Sequence, residues 1–230
     1  MAATDDATRP GEIDSIFFRT ERSRRSDSGL SLERIVAGAV DLLDREGPAA
    51  LTMRKFAAEL GVHATSLYWY VKRREDLIDL AVDEVLREAA TAPPPDGEWD
   101  VVVTRTARSM YDSFTAHPWV AAFAGARPLV GPNALAVSGR ILGALASTGA
   151  GERDLTVAAT TISNLILGSA TAAAGANALG LSDPESPLAR RIVESLGSVQ
   201  EVPASSAAWN PFFDESLELV MAGVRTLLAR

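Results

Sequence analysis

Residues 51–71, LTMRKFAAELGVHATSLYWYV, contain the spacing that most restricts how this chain can fold. Ala57 is small where two helices would cross closely, and Gly61, four residues later, suits a turn that needs positive φ. Val62 and Leu67 would pack the second helix against the first. This is the spacing of a helix-turn-helix, whose second helix enters the DNA major groove. A plain helical hairpin with a glycine turn shows the same pattern, so the spacing alone does not decide between the two.

An aromatic and basic segment, residues 63–76, overlaps the second helix of this motif. The three aromatic residues 68–70 cannot all face one core, because consecutive helical positions point in different directions. Three cations follow at 72–74, and such a surface is costly without a partner. Hydroxyl groups and aromatic edges can contact base edges, thymine methyl groups or phosphates. The segment therefore favours DNA binding over a plain hairpin.

We predict that the second helix of the motif covers about 64–70. Leu67 and Val71 would point inward and anchor it. The polar and aromatic residues left on the outer face would be Thr65, Ser66, Trp69 and Tyr70. Lys72 and Arg74 would stand just past the helix end, where they could meet backbone phosphate.

The net charge of −8 argues against a protein coated in positive charge. Exposed charges are screened beyond about 8 Å in physiological salt, so a local basic surface is still compatible with an acidic chain. Residues 51–74 carry five Lys and Arg residues against the single acid Glu59, a local charge of +4. The positive charge therefore coincides with the motif.

Helical periodicity continues along most of the chain and predicts an all-α fold of about nine or ten helices. Ser31 and Gly47 are the expected N-cap and stop of the first helix, and Thr52 and Gly61 bound the second. A long amphipathic helix is expected over about 75–91, before the breaker PPPDGE. The later predicted helices cover 99–116, 118–124, 133–148, 152–179, 186–197 and 212–229. Alternating strand patterns with hairpin dipeptides are missing, and the β-branched run WDVVVT is assigned to a helix start.

Residues 1–29 lack apolar periodicity, and we interpret them as a disordered N-terminal arm. Its cations Arg22, Arg24 and Arg25 could add phosphate contacts or reach a minor groove. A disordered tail without a role in binding is the alternative.

The composition excludes several classes of chemistry. The chain has no cysteine, which excludes disulfides and thiol chemistry and suits a reducing cytoplasm. The N-terminus has no signal pattern, and no apolar run of about 18 residues indicates a membrane span. The longest candidate, residues 155–181, is interpreted as a buried helix. We therefore expect a cytoplasmic protein that does not insert into a membrane.

Two other classes of function compete with DNA binding. For an enzyme, the sequence offers no nucleophile elbow, P-loop, metal-ligand cluster or dinucleotide fingerprint, so we expect no catalysis, no cofactor and no metal. A helical protein-interaction module could use the aromatic surface for another protein. The cations that flank this surface count against that alternative.

The segment LTMRKFAAELGVHATSLYWYVKRREDLID resembles the DNA-binding signature of TetR-type transcriptional repressors, including the LYW core of the tetracycline repressor branch. The preceding LERIVAGAVDLLDREGPAALT is similar to the first helix and linker of that family. Downstream, AHPWV, ARPLVGPNAL and ILGALASTG resemble its C-terminal domain in order and spacing. The resemblance covers roughly residues 30–230 and leaves out the arm. It implies a helix-turn-helix DNA-binding domain over 30–75 and a ligand-binding and dimerisation domain over 76–230.

The resemblance also implies which residues contact DNA. Arg54 would contact a base or phosphate from the first helix of the motif, and Arg74 would contact phosphate. The recognition surface would consist of Ala64, Thr65, Ser66, Tyr68, Trp69 and Tyr70. The tetracycline repressor branch has an amide side chain at the position of Ala64 and a histidine at the position of Tyr70. We therefore expect a different operator sequence.

A helical C-terminal domain of this family would enclose a small-molecule pocket. The candidate lining residues are large or polar side chains within apolar helices, namely Met110, Phe114, His117, Trp119, Asn164 and Asn177. Each has a purely structural alternative as a core, capping or dimer-contact residue. The resemblance implies that a tetracycline–magnesium ligand would be bound through histidine. The chain has only His63 and His117, and His63 belongs to the DNA-binding motif, so we do not expect that ligand.

Two apolar stretches with small residues, 133–149 and 212–230, are the expected dimerisation helices, because two from each subunit would form a four-helix bundle. Internal core helices of a monomer are the alternative. Together these observations predict a bacterial, ligand-responsive regulator, by family habit a repressor. It would bind a palindromic double-stranded DNA operator as a homodimer and be released by a small-molecule effector.

Overall fold

The computed structural model describes residues 15–19, 30–181, 183, 185–197 and 212–229, and these residues form helices with no β-strand among them. The α-helices are α1 (Leu32–Glu46), α2 (Met53–Glu59), α3 (Ala64–Leu67), α4 (Arg74–Glu84), α5 (Arg87–Thr91), α6 (Trp99–Ala116), α7 (Ala121–Ala124), α8 (Pro132–Ala146), α9 (Glu152–Ala178), α10 (Pro187–Gly197) and α11 (Phe213–Leu228). Short 3-10 turns cover Ile16–Phe18, Pro48–Ala50 and Pro118–Val120. The predicted all-α fold is confirmed.

The chain divides into two compact units. The N-terminal unit extends to Glu84 and also includes Val130–Pro132. The C-terminal unit comprises Val85–Leu129 and the chain from Asn133 onward. All of α4 therefore lies in the N-terminal unit, whereas the sequence-based division after residue 75 assigned it to the ligand-binding domain.

Local capping signals determine where α1 and α2 begin and end. The Ser31 side chain accepts a hydrogen bond from the backbone N–H of Arg34 at 3.2 Å, and Gly47 closes α1 with φ 74°. Thr52 caps α2 in the same way. A side-chain oxygen at the N-cap satisfies an N–H that the helix leaves without a partner. The bounds predicted for α1 and α2 are confirmed to within a residue or two.

The turn between α2 and α3 has the predicted helix-turn-helix geometry. Gly61 adopts φ 69°, a backbone conformation that residues with a Cβ rarely adopt. The backbone N–H of Val62 donates to the carbonyl of Ala57 at 3.0 Å and closes the turn. Ala57 and Leu67 are both buried between the helices. However, α3 ends at Leu67 and continues only as a turn over 68–70, so the helix predicted over 64–70 is shorter than expected.

The long helix expected over 75–91 is interrupted. A turn at Val85 and Leu86 separates α4 from α5, and the division between the two units falls at the same place. Neither glycine nor proline stands there, so no local signal in the sequence marks the break. Both residues are buried, Leu86 completely, and we attribute the turn to their packing.

Residues Ser15–Arg19 depart from the disorder expected for the arm. They form a 3-10 turn that packs against α4, and the Ser15 side chain is buried. The guanidinium of Arg19 donates to the carboxylate of Asp76 at 2.7 Å. A tertiary ion pair therefore orders this part of the arm, which no local pattern predicts. The cations Arg22, Arg24 and Arg25 lie outside the described residues.

In the C-terminal unit, α6 packs against α9 and α11. The rings of Tyr111 and Phe213 stack with centroids 3.8 Å apart, which joins α6 to the start of α11. At the other end of α6, Arg225 donates to Asp100 at 2.7 Å, and this hydrogen bond lowers the pKa of the Asp100 carboxyl group. These contacts tie α6 to α11, the last helix of the unit.

Helix α9 is less buried than the sequence predicted. It is long and apolar enough to cross a membrane by length and composition alone, yet only 22% of its most apolar 18-residue window is buried. One stripe packs in the core, at Ala158, Ile162, Ile166, Ala170 and Ala176. The interpretation of residues 155–181 as a buried helix is therefore wrong for the single chain, because the opposite face of α9 is open.

Candidate nucleic-acid interface and effector cavity

The end of α3 and the turn after it expose an aromatic surface, which consists of Thr65, Tyr68 and Trp69. Trp69 is 81% exposed and Tyr68 is 50% exposed, although aromatic side chains of this size are usually well buried. Leu67 and Val71 are fully buried and anchor the segment, as predicted. Ala64 and Ser66 are half-buried at the edge of the surface.

Tyr70 lies differently from the prediction. Its hydroxyl group donates to the backbone carbonyl of Leu30 at 2.5 Å, and its side chain is half-buried. The hydroxyl thus ties the turn after α3 to the chain just before α1. In this structure a distant carbonyl engages the polar end of Tyr70, and its contact with bases stays a prediction.

Arg74 is also engaged within the unit. Its Nε donates to the carbonyl of Leu51 and its Nη2 to the carbonyl of Pro48, both at 2.8 Å. The side chain therefore braces the start of α4 against the linker between α1 and α2. Both donors are thus engaged within the unit, and the phosphate contact of Arg74 stays a prediction.

The structure places the remaining cations of the motif in different surroundings. Lys55 pairs with Glu46, and this hydrogen bond lowers the pKa of the Glu46 carboxyl group. Arg73 pairs with Asp76. Arg54 on α2 and Lys72 after α3 are exposed, and their contact with phosphate stays a prediction. Part of the local charge of +4 is consequently compensated within the unit.

Asp76 connects the segment after α3 to α4. Its carboxylate is fully buried and accepts the backbone N–H groups of Lys72 at 2.8 Å and Arg73 at 3.3 Å. The guanidinium groups of Arg73 and Arg19 add two charged donors. The sequence indicated only that an acid suits the first turn of α4; its long-range partner carried no sequence signal.

The C-terminal unit contains a cavity of about 290 Å³. Its lining residues are Met110, Ala124, Arg127, Pro128, Leu129, Ser138, Ser163, Ile166 and Leu167. Six of these nine residues are apolar, and the other three supply one guanidinium group and two hydroxyl groups. This composition suits a small molecule that has both an apolar part and a polar end.

Of the side chains predicted to contact a ligand, only Met110 lines this cavity. Phe114 is packed in the core, and His117 ends α6 with its ring edge-on to Trp119, at a centroid distance of 6.1 Å. Asn164 and Asn177 are exposed on α9 and do not line this cavity. Helical periodicity does not indicate which face of α9 packs inward.

Sequence reasoning missed Arg127, Ser138 and Ser163. Arg127, Pro128 and Leu129 of the cavity wall come from the segment between the predicted helices 118–124 and 133–148. Among the residues that the structure describes, no group of His, Cys, Asp and Glu side chains is arranged to hold a metal ion.

The fold and the exposed aromatic surface define a class of protein: a helix-turn-helix regulator with a helical C-terminal unit. A family model described as bacterial regulatory proteins of the tetR family matches residues 35–81. A second, the tetracyclin repressor-like C-terminal domain, matches residues 91–228. The chain therefore belongs to the TetR family of transcriptional regulators.

Similar proteins agree with this assignment along nearly the whole chain. An HTH-type transcriptional regulator of Saccharopolyspora erythraea is 34% identical over 227 residues, which cover 97% of this chain and 96% of the relative. The HTH-type transcriptional repressor DrrR1 of Streptomyces coeruleorubidus is 29% identical over 221 residues, covering 90% and 82% respectively.

A solved structure with a similar fold is that of ActR from Streptomyces coelicolor. Its apo form has a TM-score of 0.67 and 28% identity and covers 87% of this chain and 99% of that chain. ActR is also known in complex with (S)-DNPA and with actinorhodin.

Proposed function

We propose that this regulator binds a palindromic operator as a homodimer, represses transcription there, and is released when a small molecule occupies the cavity of its C-terminal unit. The observation that carries the DNA-binding part is the exposure of Trp69 and Tyr68 at the end of a helix-turn-helix. These rings lie where this motif presents side chains to the major groove, and exposed aromatic rings of this size are unfavourable without a partner.

Gel shifts on the DNA flanking its gene test this proposal. Trp69→Ala should weaken binding about tenfold or more, since a good base contact is worth about 1–3 kcal/mol. Leu135→Ala is the matched control, because it removes an exposed apolar side chain from α8 in the C-terminal unit. Equal binding by wild type and Trp69→Ala on every retarded fragment would contradict the proposal.

The homodimer is supported by the open surfaces of α9 and α11. Leu219 on α11 is 76% exposed, and these two helices pack side by side. The open face of α9 is lined at helical spacing by Val157, Thr161, Asn164, Gly168, Thr171 and Gly175. Small residues allow close approach of another helix, and a pair from each of two chains would form a four-helix bundle. Asn164 would then face the second copy rather than a ligand.

The interface proposed here consists of α9 and α11. The sequence-based expectation combined 212–230 with 133–149, so the two agree on α11 and differ on the second helix. Helix α8 also exposes apolar side chains, at Leu135 and Leu142. We favour α9 because its open face spans most of a 27-residue helix. A dimer is needed to present two recognition segments to half-sites about 34–36 Å apart.

The effector proposed for the cavity is an amphipathic small molecule with an acidic end near Arg127. Arginine is the charged side chain in the lining, and a guanidinium group matches a carboxylate in a bidentate way. Such a ligand must bind the DNA-free state more tightly, with a coupling of about 1–3 kcal/mol.

A further inference from the structure

The buried carboxylate of Asp76 is shared between the segment after α3 and the N-terminal arm. Its Oδ2 accepts the backbone N–H of Lys72 at 2.8 Å and the Nη1 of Arg19 at 2.7 Å. Arg19 lies 57 residues from Asp76 in the sequence, and the 3-10 turn before it packs on α4. The arm and the DNA-facing segment therefore meet at one acidic group.

A fully enclosed carboxylate is costly unless positive charge and hydrogen bonds compensate it. Arg73 supplies one guanidinium contact, at 3.3 Å from Oδ1, and its side chain is 38% exposed. Arg19 makes the shorter contact and is the less exposed of the two, at 21%. Arg19 is therefore the stronger counter-charge for this carboxylate.

The position of the segment after α3 depends on this carboxylate. The N–H groups of Lys72 and Arg73 both donate to Oδ2, and these residues directly follow Val71, the buried anchor of the aromatic surface. Without Arg19, the carboxylate would be drawn toward water, and its hydrogen bonds to both N–H groups would weaken. Trp69, two residues before Val71, would then be held less firmly for contact with DNA.

We infer that Arg19 is a positioning residue for DNA recognition, which acts through Asp76 and does not itself touch DNA. The segment Ser15–Arg19 is then a working part of the DNA-binding unit, and not a tail or a phosphate-binding arm. This inference rests on the proposed DNA-binding function. It concerns a different residue and a different mode of action from the contacts proposed for the aromatic surface.

The test compares Arg19→Ala with Arg45→Ala in the full chain. Arg45 lies on α1, where it pairs with Asp41 and Glu59, so its loss changes the net charge equally and removes ion pairs of the same unit. Deuterium exchange is followed in peptides covering residues 68–76, without DNA. Exchange there should accelerate in Arg19→Ala and stay unchanged in Arg45→Ala. Unchanged exchange in Arg19→Ala would overturn the inference whether or not the protein binds DNA.

The second readout is operator affinity as a function of salt, on a fragment that wild type retards and Trp69→Ala does not. Arg19→Ala should weaken binding by about threefold to thirtyfold, the range expected for residues that act without touching the ligand. The slope of log affinity against log salt should stay at the wild-type value. A slope lower by about 1 would show a phosphate contact and overturn the positioning role.

Arg19→Lys provides the conservative variant. It keeps the charge beside Asp76 and should restore most of the affinity and of the protection from exchange. If Arg19→Ala is too unstable to purify, Arg19→Lys and wild type are compared at matched fractions folded. Exchange in residues 68–76 should still be somewhat faster in Arg19→Lys, because an ammonium group does not reproduce the planar donor geometry of a guanidinium group. Identical exchange and affinity in all variants would overturn the proposal.

Discussion

Arg74 allows a sharp distinction between a residue that holds the N-terminal unit together and one that contacts DNA. Arg74→Ala removes two hydrogen bonds from a charged donor, to the carbonyls of Leu51 and Pro48. Leu51 is fully buried, so its carbonyl would lose a partner where water does not easily replace it. Losing such a bond and leaving a buried acceptor costs about 1–3 kcal/mol. We expect the free energy of unfolding to fall by about 2 kcal/mol.

Urea unfolding followed by circular dichroism measures this change as a lower midpoint with an unchanged slope. The matched variant is Arg54→Ala, since Arg54 is an exposed cation on α2 of the same unit. Arg54→Ala should leave the unfolding midpoint in place and reduce the salt slope of operator binding by about 1. Arg74→Ala should lower the unfolding midpoint and keep the wild-type salt slope of operator binding, provided that binding is measured well below its unfolding temperature.

The opposite pair of results would refute the distinction between a cation that stabilises the unit and one that contacts phosphate. If Arg74→Ala unfolds like wild type and lowers the salt slope, its side chain leaves the carbonyls to bind phosphate, as the family resemblance suggested. If neither variant alters the salt slope, the phosphate contacts lie elsewhere on the unit.

Three further predictions concern the dimer, the effector and the fold. Leu219→Glu should convert a dimer into monomers in light scattering after size exclusion, whereas Leu142→Glu on α8 should remain dimeric; the reverse result would place the interface on α8. Wild type should be stabilised against thermal unfolding more by 2-naphthoic acid than by its methyl ester, and Arg127→Ala should lose that difference; equal stabilisation of wild type by both compounds would argue against an acidic effector. Gly131→Ala should lower the free energy of unfolding by about 1–3 kcal/mol, because the new Cβ would collide with the Asp83 carboxylate on α4. Wild-type stability in urea would show that the loop around this glycine yields freely.

The sequence by itself determined the helical fold class, the ends of α1 and α2, and the helix-turn-helix motif. Ser31 and Thr52 mark helix starts through a side-chain oxygen that serves the next turn, and Gly47 and Gly61 mark stops through positive φ. These are interactions over a few residues, so their signals are contained in short stretches of sequence. The same holds for the inward placement of Leu67, which follows from helical spacing.

Only the tertiary structure showed which polar groups of the motif are engaged within the N-terminal unit. The partners of Tyr70, Arg74 and Asp76 lie 40, 23 and 57 residues away, and no periodicity connects them. The family resemblance assigned the first two to DNA because it matches positions and carries no information on these contacts. Likewise, an apolar helix such as α9 shows the same pattern whether its second face meets its own chain or another copy. Burial and long-range hydrogen bonds depend on how distant segments pack, and this is why they were not predictable from local sequence.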